Sequence, residues 1–176
     1  MIRNFLLAME HCPVYTVGLR SSLYSKTEEN KLKKLGADFH RTSRGGLITF
    51  HGPGQLVMYP IFDLKRIGMR PVGVRRYVEL LEQIYKVVPT GVWINRNRKL
   101  AALGIAVSHG VTYHGLALNC NTDLTWYDHI VGCGIEGAEA TSLSRECNRD
   151  VKVEEVMPKM VEKFTQVFGC QVKYPS

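Results

Sequence analysis

The sequence predicts an α+β fold, in which a mixed β-sheet is flanked by helices. Strand-like segments come in runs and do not alternate strictly with helices, which favours this class over a doubly wound fold. The chain has 176 residues, 45% of them hydrophobic, which is enough for one domain with its own core and too short for two comfortable ones. We therefore expect a single domain over residues 1–176.

Hydrophobic periodicity predicts the elements in chain order. The expected strands are residues 5–9, 14–17, 39–42, 47–50 and 55–64, then a hairpin of 92–94 and 99–107, and a further strand at 111–120. The expected helices are residues 26–35, a segment after Pro71 in which Tyr77, Leu81, Ile84 and Val88 form one apolar face, and residues 154–168.

Charge and hydropathy exclude several classes of protein. The net charge of +7 favours an acidic partner, which the charge alone leaves open as nucleic acid, an anionic surface or an acidic carrier protein. No basic stripe is interleaved with aromatic residues, so we expect no nucleic-acid partner. No run of eighteen apolar residues occurs, so we expect no membrane span. The first residues resemble a first strand and neither a signal peptide nor an imported protein's presequence.

The cysteines and histidines point to thiol chemistry without a metal. Five cysteines form no C-x-x-C pair, which argues against a disulfide framework or a zinc ribbon and for a reducing compartment. His109 and His114 are five apart and no H-E-x-x-H occurs, so we expect no metal site and no cofactor. Cys120, at the end of an apolar strand, is expected in the core.

A glycine-rich segment at residues 44–55, RGGLITFHGPGQ, is a candidate binding site. Paired glycines before a strand let the backbone approach a ligand closely, and Arg44 and His51 place a permanent cation and a titratable group at its ends. The segment is neither a Walker A loop nor a dinucleotide fingerprint, because no G-K-[ST] follows and no helix opens on it. An ordinary hairpin turn is the structural alternative.

Lys99 and Cys133 are the candidate catalytic pair. Cys133 lies between two glycines, a setting that exposes a sulfur and leaves backbone N–H groups near a developing oxyanion. An ammonium close to that sulfur would favour the thiolate, and Lys99 opens the predicted strand LAALGIAV. Spacing alone does not establish that the two residues meet. An inert buried cysteine and a solvated lysine stay open as the alternative.

Three long blocks resemble the octanoyltransferases of lipoate biosynthesis, particularly the animal mitochondrial members. The blocks are RGGLITFHGPGQLVMYPIFDL, TGVWINRNRKLAALGIAVSHGVTYHGLALNCNTDLTWYDHIVGCGIEG and ATSLSRECNRDVKVEEVMP. The resemblance implies a fold shared with biotin protein ligases and lipoate ligases. It implies Cys133 as the nucleophile in GCG and Lys99 as the lysine that opens KLAALG.

The resemblance also implies an acyl pocket, partners and a compartment. The implied lining residues are Arg44, Gly45, Gly46, Leu47, Ile48, Thr49, Phe50, His51, Ala102, Leu103, Gly104, Gly115, Leu116 and Ala117. The implied donor is octanoyl-acyl carrier protein. The implied acceptors are lysines of lipoyl domains, in the E2 subunits of 2-oxoacid dehydrogenases and in the glycine cleavage H protein. The implied compartment is the mitochondrial matrix.

The chain departs from the family pattern in length. Family members usually carry a further segment before Met1, and the stretch near residues 83–91 is short, so we expect a shortened form of the domain. Two other functions remain as alternatives. One is an ATP-dependent lipoate-protein ligase of the same fold, which would not need Cys133. The other is a non-catalytic basic binding module.

Overall fold

A computed structural model describes residues 4–67, 71–84, 93–94, 97–131 and 139–174. The strands are β1 (Phe5–Met9), β2 (Val14–Val17), β3 (Asp38–Arg41), β4 (Thr49–His51), β5 (Gln55–Ile61), β6 (Trp93–Ile94), β7 (Arg98–Lys99), β8 (Ala101–Ser108), β9 (Val111–Asn119) and β10 (Glu139–Ala140). The α-helices are α1 (Lys26–Lys34), α2 (Val74–Ile84), α3 (Leu143–Cys147) and α4 (Val153–Phe168). Short 3-10 helices occupy Ser21–Leu23 and Leu124–His129.

The largest sheet is antiparallel and has the strand order β1-β5-β9-β8. In this sheet Val57 on β5 pairs with Ala117 on β9, and Ala117 also pairs with Ala102 on β8. Side chains alternate between the two faces of a strand, so Met58 and Leu116 point the other way, into a core shared with α2 and α4. One face of the sheet is therefore covered by helices, while the face that carries Val57, Ala102 and Ala117 is left for the site.

A second sheet, of order β3-β2-β4, has its own small core. Tyr15 and Phe50 are fully buried there, and Trp126 of the second 3-10 helix stacks on Phe50 at 5.0 Å. The helix α1 begins at a capping box, in which Ser25 accepts from the backbone N–H of Glu28 and the Glu28 side chain accepts from the backbone N–H of Ser25.

A third sheet, of order β10-β7-β6, changes one predicted element. The prediction of one strand over residues 99–107 is wrong, because the chain passes from one sheet to another at Leu100. The Lys99 carbonyl accepts from the N–H of Thr141, the residue after β10 in the third sheet. The Leu100 carbonyl accepts instead from the N–H of Asn119, the last residue of β9 in the largest sheet. Lys99 therefore ends β7 and does not open β8.

The predicted α+β class is confirmed by these sheets and their flanking helices. The predicted bounds of β1 and β2 agree with the structure, and the other predicted elements that it describes differ by one to three residues, apart from the divided strand. The sequence predicts that the stretch near residues 83–91 is short; its residues after 84 lie outside the described residues. Within the described ranges, no helix is both long and apolar enough to cross a bilayer.

Candidate active site

Two neighbouring cavities open where the largest sheet meets the second sheet. The first, of about 510 Å³, has small residues on its sheet side and is called here the small-residue cavity. The second, of about 440 Å³, contains Lys99 and is called the lysine cavity. Thr49 and Ala102 line both cavities. The two spaces therefore meet at these two residues.

The floor of the small-residue cavity is built by the outward face of β8 and β9. Ala102 pairs with Ala117, and Gly104 pairs with Gly115. A Cβ added to Gly115 would lie 2.1 Å from the Met58 carbonyl oxygen, so only glycine fits against β5 at this point. These two pairs are separated by the pair Leu103–Leu116, and their small residues keep bulky side chains off this face of the sheet.

Arg44 forms the part of the cavity wall that lies over Gly104. Its side chain is buried, with 7% of its surface exposed. Its guanidinium donates to the Thr16 carbonyl oxygen at 2.6 Å, to the Thr16 hydroxyl at 2.9 Å and to the Gly45 carbonyl at 2.9 Å. These bonds tie the glycine-rich segment to β2, so the cation has a structural part in shaping the cavity.

His51 lines the same cavity and is held in one tautomer. Its Nδ1 lies 2.7 Å from Gln55 Oε1. The Gln55 Nε2 group donates to the Phe50 carbonyl and to Asn119 Oδ1. Both of these oxygens can only accept, so the Gln55 Oε1 atom must be the one that faces the His51 ring. Nδ1 therefore carries the proton, and Nε2 of the neutral ring presents its lone pair. Burial lowers the pKa of His51 to about 4, so the ring is uncharged at neutral pH.

Three more histidines, His11, His40 and His114, line the cavity. His11 hydrogen bonds through Nε2 with the Tyr59 hydroxyl at 2.7 Å, and burial lowers the pKa of His11. His114 has a left-handed backbone with φ of 59°, and burial followed by the nearby Arg44 charge lowers its pKa. The small-residue cavity therefore combines an apolar floor with the imidazoles of His11, His51 and His114, which are uncharged at neutral pH.

Lys99 occupies the second cavity from the middle strand of the third sheet. Its Nζ lies 5.7 Å from the centre of the Trp93 ring, within the range of a cation–π contact. On β6 it pairs with Trp93, and on β10 with Ala140. Backbone pairing on both sides holds the Lys99 backbone in place at the cavity wall.

A buried polar network connects the two cavities. The Gln55 amide donates to Tyr127 at 2.9 Å and to Asn119 at 2.8 Å, and the Tyr127 hydroxyl donates to Asn119 Oδ1 at 3.1 Å. Asn119 Nδ2 then donates to the Thr141 carbonyl at 2.9 Å, and the Thr141 N–H donates to the Lys99 carbonyl. His51 and the Lys99 backbone are thus linked by one continuous chain of hydrogen bonds.

Cys133 lies in the segment 132–138, outside the described residues, but the chain before and after this segment is described. Ile130 precedes it, and Glu139 and Ala140 follow; all three line the lysine cavity. Ala140 pairs in parallel with Lys99 itself. Of the described cysteines, Cys120 lies in the core as predicted, and burial raises the pKa of its thiol to about 12.

The structure brings most of the predicted pocket residues together. The residues that line the small-residue cavity are Arg44, Gly46, Leu47, Thr49, His51, Ala102, Leu103, Gly104, Gly115, Leu116 and Ala117. Ile48 and Phe50 are different, since both side chains lie in the core of the second sheet, and Gly45 does not line the cavity. Strand alternation explains this, because Phe50 faces away from Thr49 and His51 on β4.

Sequence reasoning missed the polar network of Gln55, Asn119 and Tyr127. A usable signal was present, since Gln55 and Asn119 are amides at the ends of otherwise apolar strands, where buried polar groups need partners. Among the residues that the structure describes, no three His, Cys, Asp or Glu side chains are grouped so as to hold a metal ion.

Comparison with known proteins places this site in a family. Residues 2–165 match the model of the lipoyl protein ligase A/B catalytic domain. A mitochondrial octanoyl-[acyl-carrier-protein]:protein N-octanoyltransferase from Danio rerio is 52% identical over 98% of this chain and 81% of its own length. The protein of the same name from Homo sapiens is 46% identical over 90% of this chain and 73% of its own length.

Solved structures share the fold at low sequence identity. A lipoate-protein ligase A bound with ATP superposes with a TM-score of 0.76 at 14% identity, over 99% of this chain and 76% of the other. A putative lipoate protein ligase from T. acidophilum with bound lipoic acid gives 0.72 at 14% identity, over 98% of this chain and 76% of the other. The sequence matches go further than the fold: the chain belongs to the lipoyl protein ligase A/B catalytic-domain family and, within it, to the octanoyltransferases.

Proposed function

We propose that this octanoyltransferase carries the octanoyl group as a thioester on Cys133, beside Lys99. One observation carries the proposal: the residues on both sides of the Cys133 segment line the cavity that contains Lys99. Cys133 follows Ile130 by three residues and precedes Glu139 by six in the sequence. In this proposal the Cys133 thiol lies near the Lys99 ammonium, which favours its thiolate form.

The two cavities divide the substrate between them in this proposal. The acyl chain occupies the small-residue cavity, whose floor of alanines and glycines offers apolar surface without bulk. The thioester carbonyl lies at the junction formed by Thr49 and Ala102, and the sulfur lies on the lysine side. The predicted site residues thus act in one reaction from two adjoining spaces.

The chemistry has two balanced steps. In the first, the Cys133 thiolate attacks the donor thioester carbon, a new C–S bond forms, and the donor's C–S bond breaks to release a thiolate, which takes a proton from the Lys99 ammonium and leaves that amine neutral. In the second, an acceptor lysine amine attacks the Cys133 thioester, the amide C–N bond forms and the thiolate leaves. Lys99 stabilises the thiolate in the first step and, in its neutral form, accepts the amine's proton in the second.

The donor and acceptors are acidic proteins in this proposal. The donor is octanoyl-acyl carrier protein, and the acceptors are lipoyl domains of 2-oxoacid dehydrogenase E2 subunits and of the glycine cleavage H protein. The net charge of +7 complements such partners. The relatives from zebrafish and human are named mitochondrial, which confirms the predicted mitochondrial localisation; the matrix follows from these proposed partners.

A transfer assay without ATP tests this function against both alternatives. Octanoyl-loaded carrier and a lipoyl domain are incubated with the protein, and the lipoyl domain is weighed by mass spectrometry. We expect an octanoyl increment on the lipoyl domain from the wild-type protein and none from Cys133→Ala. A lipoate ligase would need ATP and would tolerate Cys133→Ala. A basic binding module would give no increment under any condition and would bind oligonucleotides in a steeply salt-dependent manner.

A further inference from the structure

His114 has an unusual backbone for its position. Three described residues other than glycine have positive φ, namely His109, His114 and Asn148. His109 lies in the turn between β8 and β9, and Asn148 ends α3, both ordinary places for this conformation. His114 lies inside β9, where a left-handed residue is uncommon and costs free energy.

This conformation changes the direction of the His114 side chain. Residues along β9 alternate, so Leu116 faces the core and Ala117 the cavity floor, and regular alternation would put His114 on the core side with its partner Ile105. Instead His114 lines the small-residue cavity, close enough to Arg44 for the guanidinium to lower its pKa. The left-handed backbone thus accompanies an imidazole that reaches the cavity.

The distance from the cavity junction to His114 matches an eight-carbon chain. Ala102 pairs with Ala117 at the junction, and His114 lies three residues from Ala117 along β9. Three residues of strand span about 10 Å. Seven carbon–carbon bonds of about 1.5 Å in extended zigzag span about 9 Å. A chain that begins at the junction therefore ends at His114.

We propose that His114 forms the end wall of the acyl site and limits the chain to about eight carbons. This inference rests on the proposed function, because it requires the acyl group in the small-residue cavity. Between the junction and His114, Gly115 and Gly104 add no side chains to the floor, and Arg44 bounds the space above Gly104, with its Cδ 3.1 Å from the position that a Cβ would take there. The imidazole is uncharged at neutral pH, since burial lowers its pKa, so an apolar methyl group can pack against it.

The test compares donors of different length. Carriers loaded with hexanoyl, octanoyl, decanoyl or dodecanoyl groups are incubated with wild-type protein, His114→Gly and His114→Asn, and the rate of adduct formation is followed by intact mass. Both replacements tolerate positive φ and shorten the side chain. His109→Gly is the matched control, because it relaxes a left-handed histidine with φ of 52° that lines neither cavity.

We expect wild type to favour octanoyl over decanoyl and dodecanoyl. In His114→Gly the decanoyl-to-octanoyl rate ratio should rise about tenfold or more, which is the discrimination that one or two methylenes provide in an apolar pocket. The ratio should rise less in His114→Asn and stay unchanged in His109→Gly.

Two results would overturn the end wall. One is a wild-type enzyme that takes dodecanoyl as fast as octanoyl, which needs no variant to interpret. The other is an unchanged ratio in either His114 variant with a wild-type melting temperature. A wild-type enzyme that forms no adduct with any donor would instead refute the proposed function, so the two failures are distinguishable.

Discussion

Lowering the pH from 7 to 5 should destabilise this protein through His51. Burial lowers the pKa of His51 to about 4 in the folded protein, from the ordinary value of 6.5. The hydrogen bond to Gln55 raises this pKa, whereas the Arg44 charge, and the charges of His11 and His114 once these are protonated, lower it further. Below pH 6.5 the unfolded chain therefore takes up a proton that the folded protein refuses until about pH 4.

The sign and size of the effect follow from linkage. The stabilising contribution is complete above pH 6.5 and is lost as the pH falls toward 4, because the unfolded state binds more protons in that interval. Between pH 7 and pH 5 the loss for these two pKa values is about 2 kcal/mol. Carboxyl groups titrate mostly below this window; Glu29, for example, has its pKa lowered to about 2 by hydrogen bonds from Lys33 and Lys26.

Urea unfolding at pH 7 and pH 5 measures this loss. The free energy of unfolding should fall by about 2 kcal/mol more in the wild type than in His51→Gln. His129→Gln, which replaces an exposed histidine, should keep the wild-type difference between the two pH values. The reasoning fails if His51→Gln loses as much stability as the wild type, since the proton uptake would then belong to other groups.

Three further substitutions test the site's construction. Gln55→Leu should lower the free energy of unfolding in urea by about 2–4 kcal/mol, because the buried partners of Gln55 lose their hydrogen bonds. Gln166→Leu, which alters an exposed amide, is the control, and an equal or larger loss in this control would contradict the prediction. Gly115→Ala should cost about 1–3 kcal/mol by overpacking, whereas Gly73→Ala, with open space around it, should not; equal melting temperatures would contradict the close approach. Lys99→Ala should slow acyl-enzyme formation by about a hundredfold at pH 7 and recover in part at pH 9, and an unchanged rate would remove Lys99 from the mechanism.

Local signals in the sequence predict the separate elements well. The short apolar run of β1 and the capping residues Ser25 and Glu28 of α1 act over a few neighbours, so a short window contains the relevant physics. The strand break at Leu100 depends instead on Asn119 and Thr141, which are close to it only in the folded chain. Hydrophobic periodicity cannot report a change of sheet, because the residues stay apolar through the break.

The candidate site shows the same difference between local signals and contacts that form only in the folded chain. Small and charged residues in the glycine-rich segment indicate a cavity, and Arg44 and His51 line it. The network through Gln55 and Asn119 joins strands that are far apart in sequence, so only their polarity within apolar strands hints at it. Ile48, predicted as a lining residue from a block of consecutive residues, lies in the core because a block motif ignores the alternation of a strand.

Whether Cys133 carries the acyl group is tested most directly by intact mass after incubation with octanoyl-loaded carrier and no acceptor. We predict one octanoyl increment on the wild type, an equal increment on Cys170→Ala, which removes an exposed thiol outside both cavities, and none on Cys133→Ala. Peptide mapping should place the increment on Cys133. An increment that persists in Cys133→Ala, or that maps to another residue, would contradict the thioester on this cysteine.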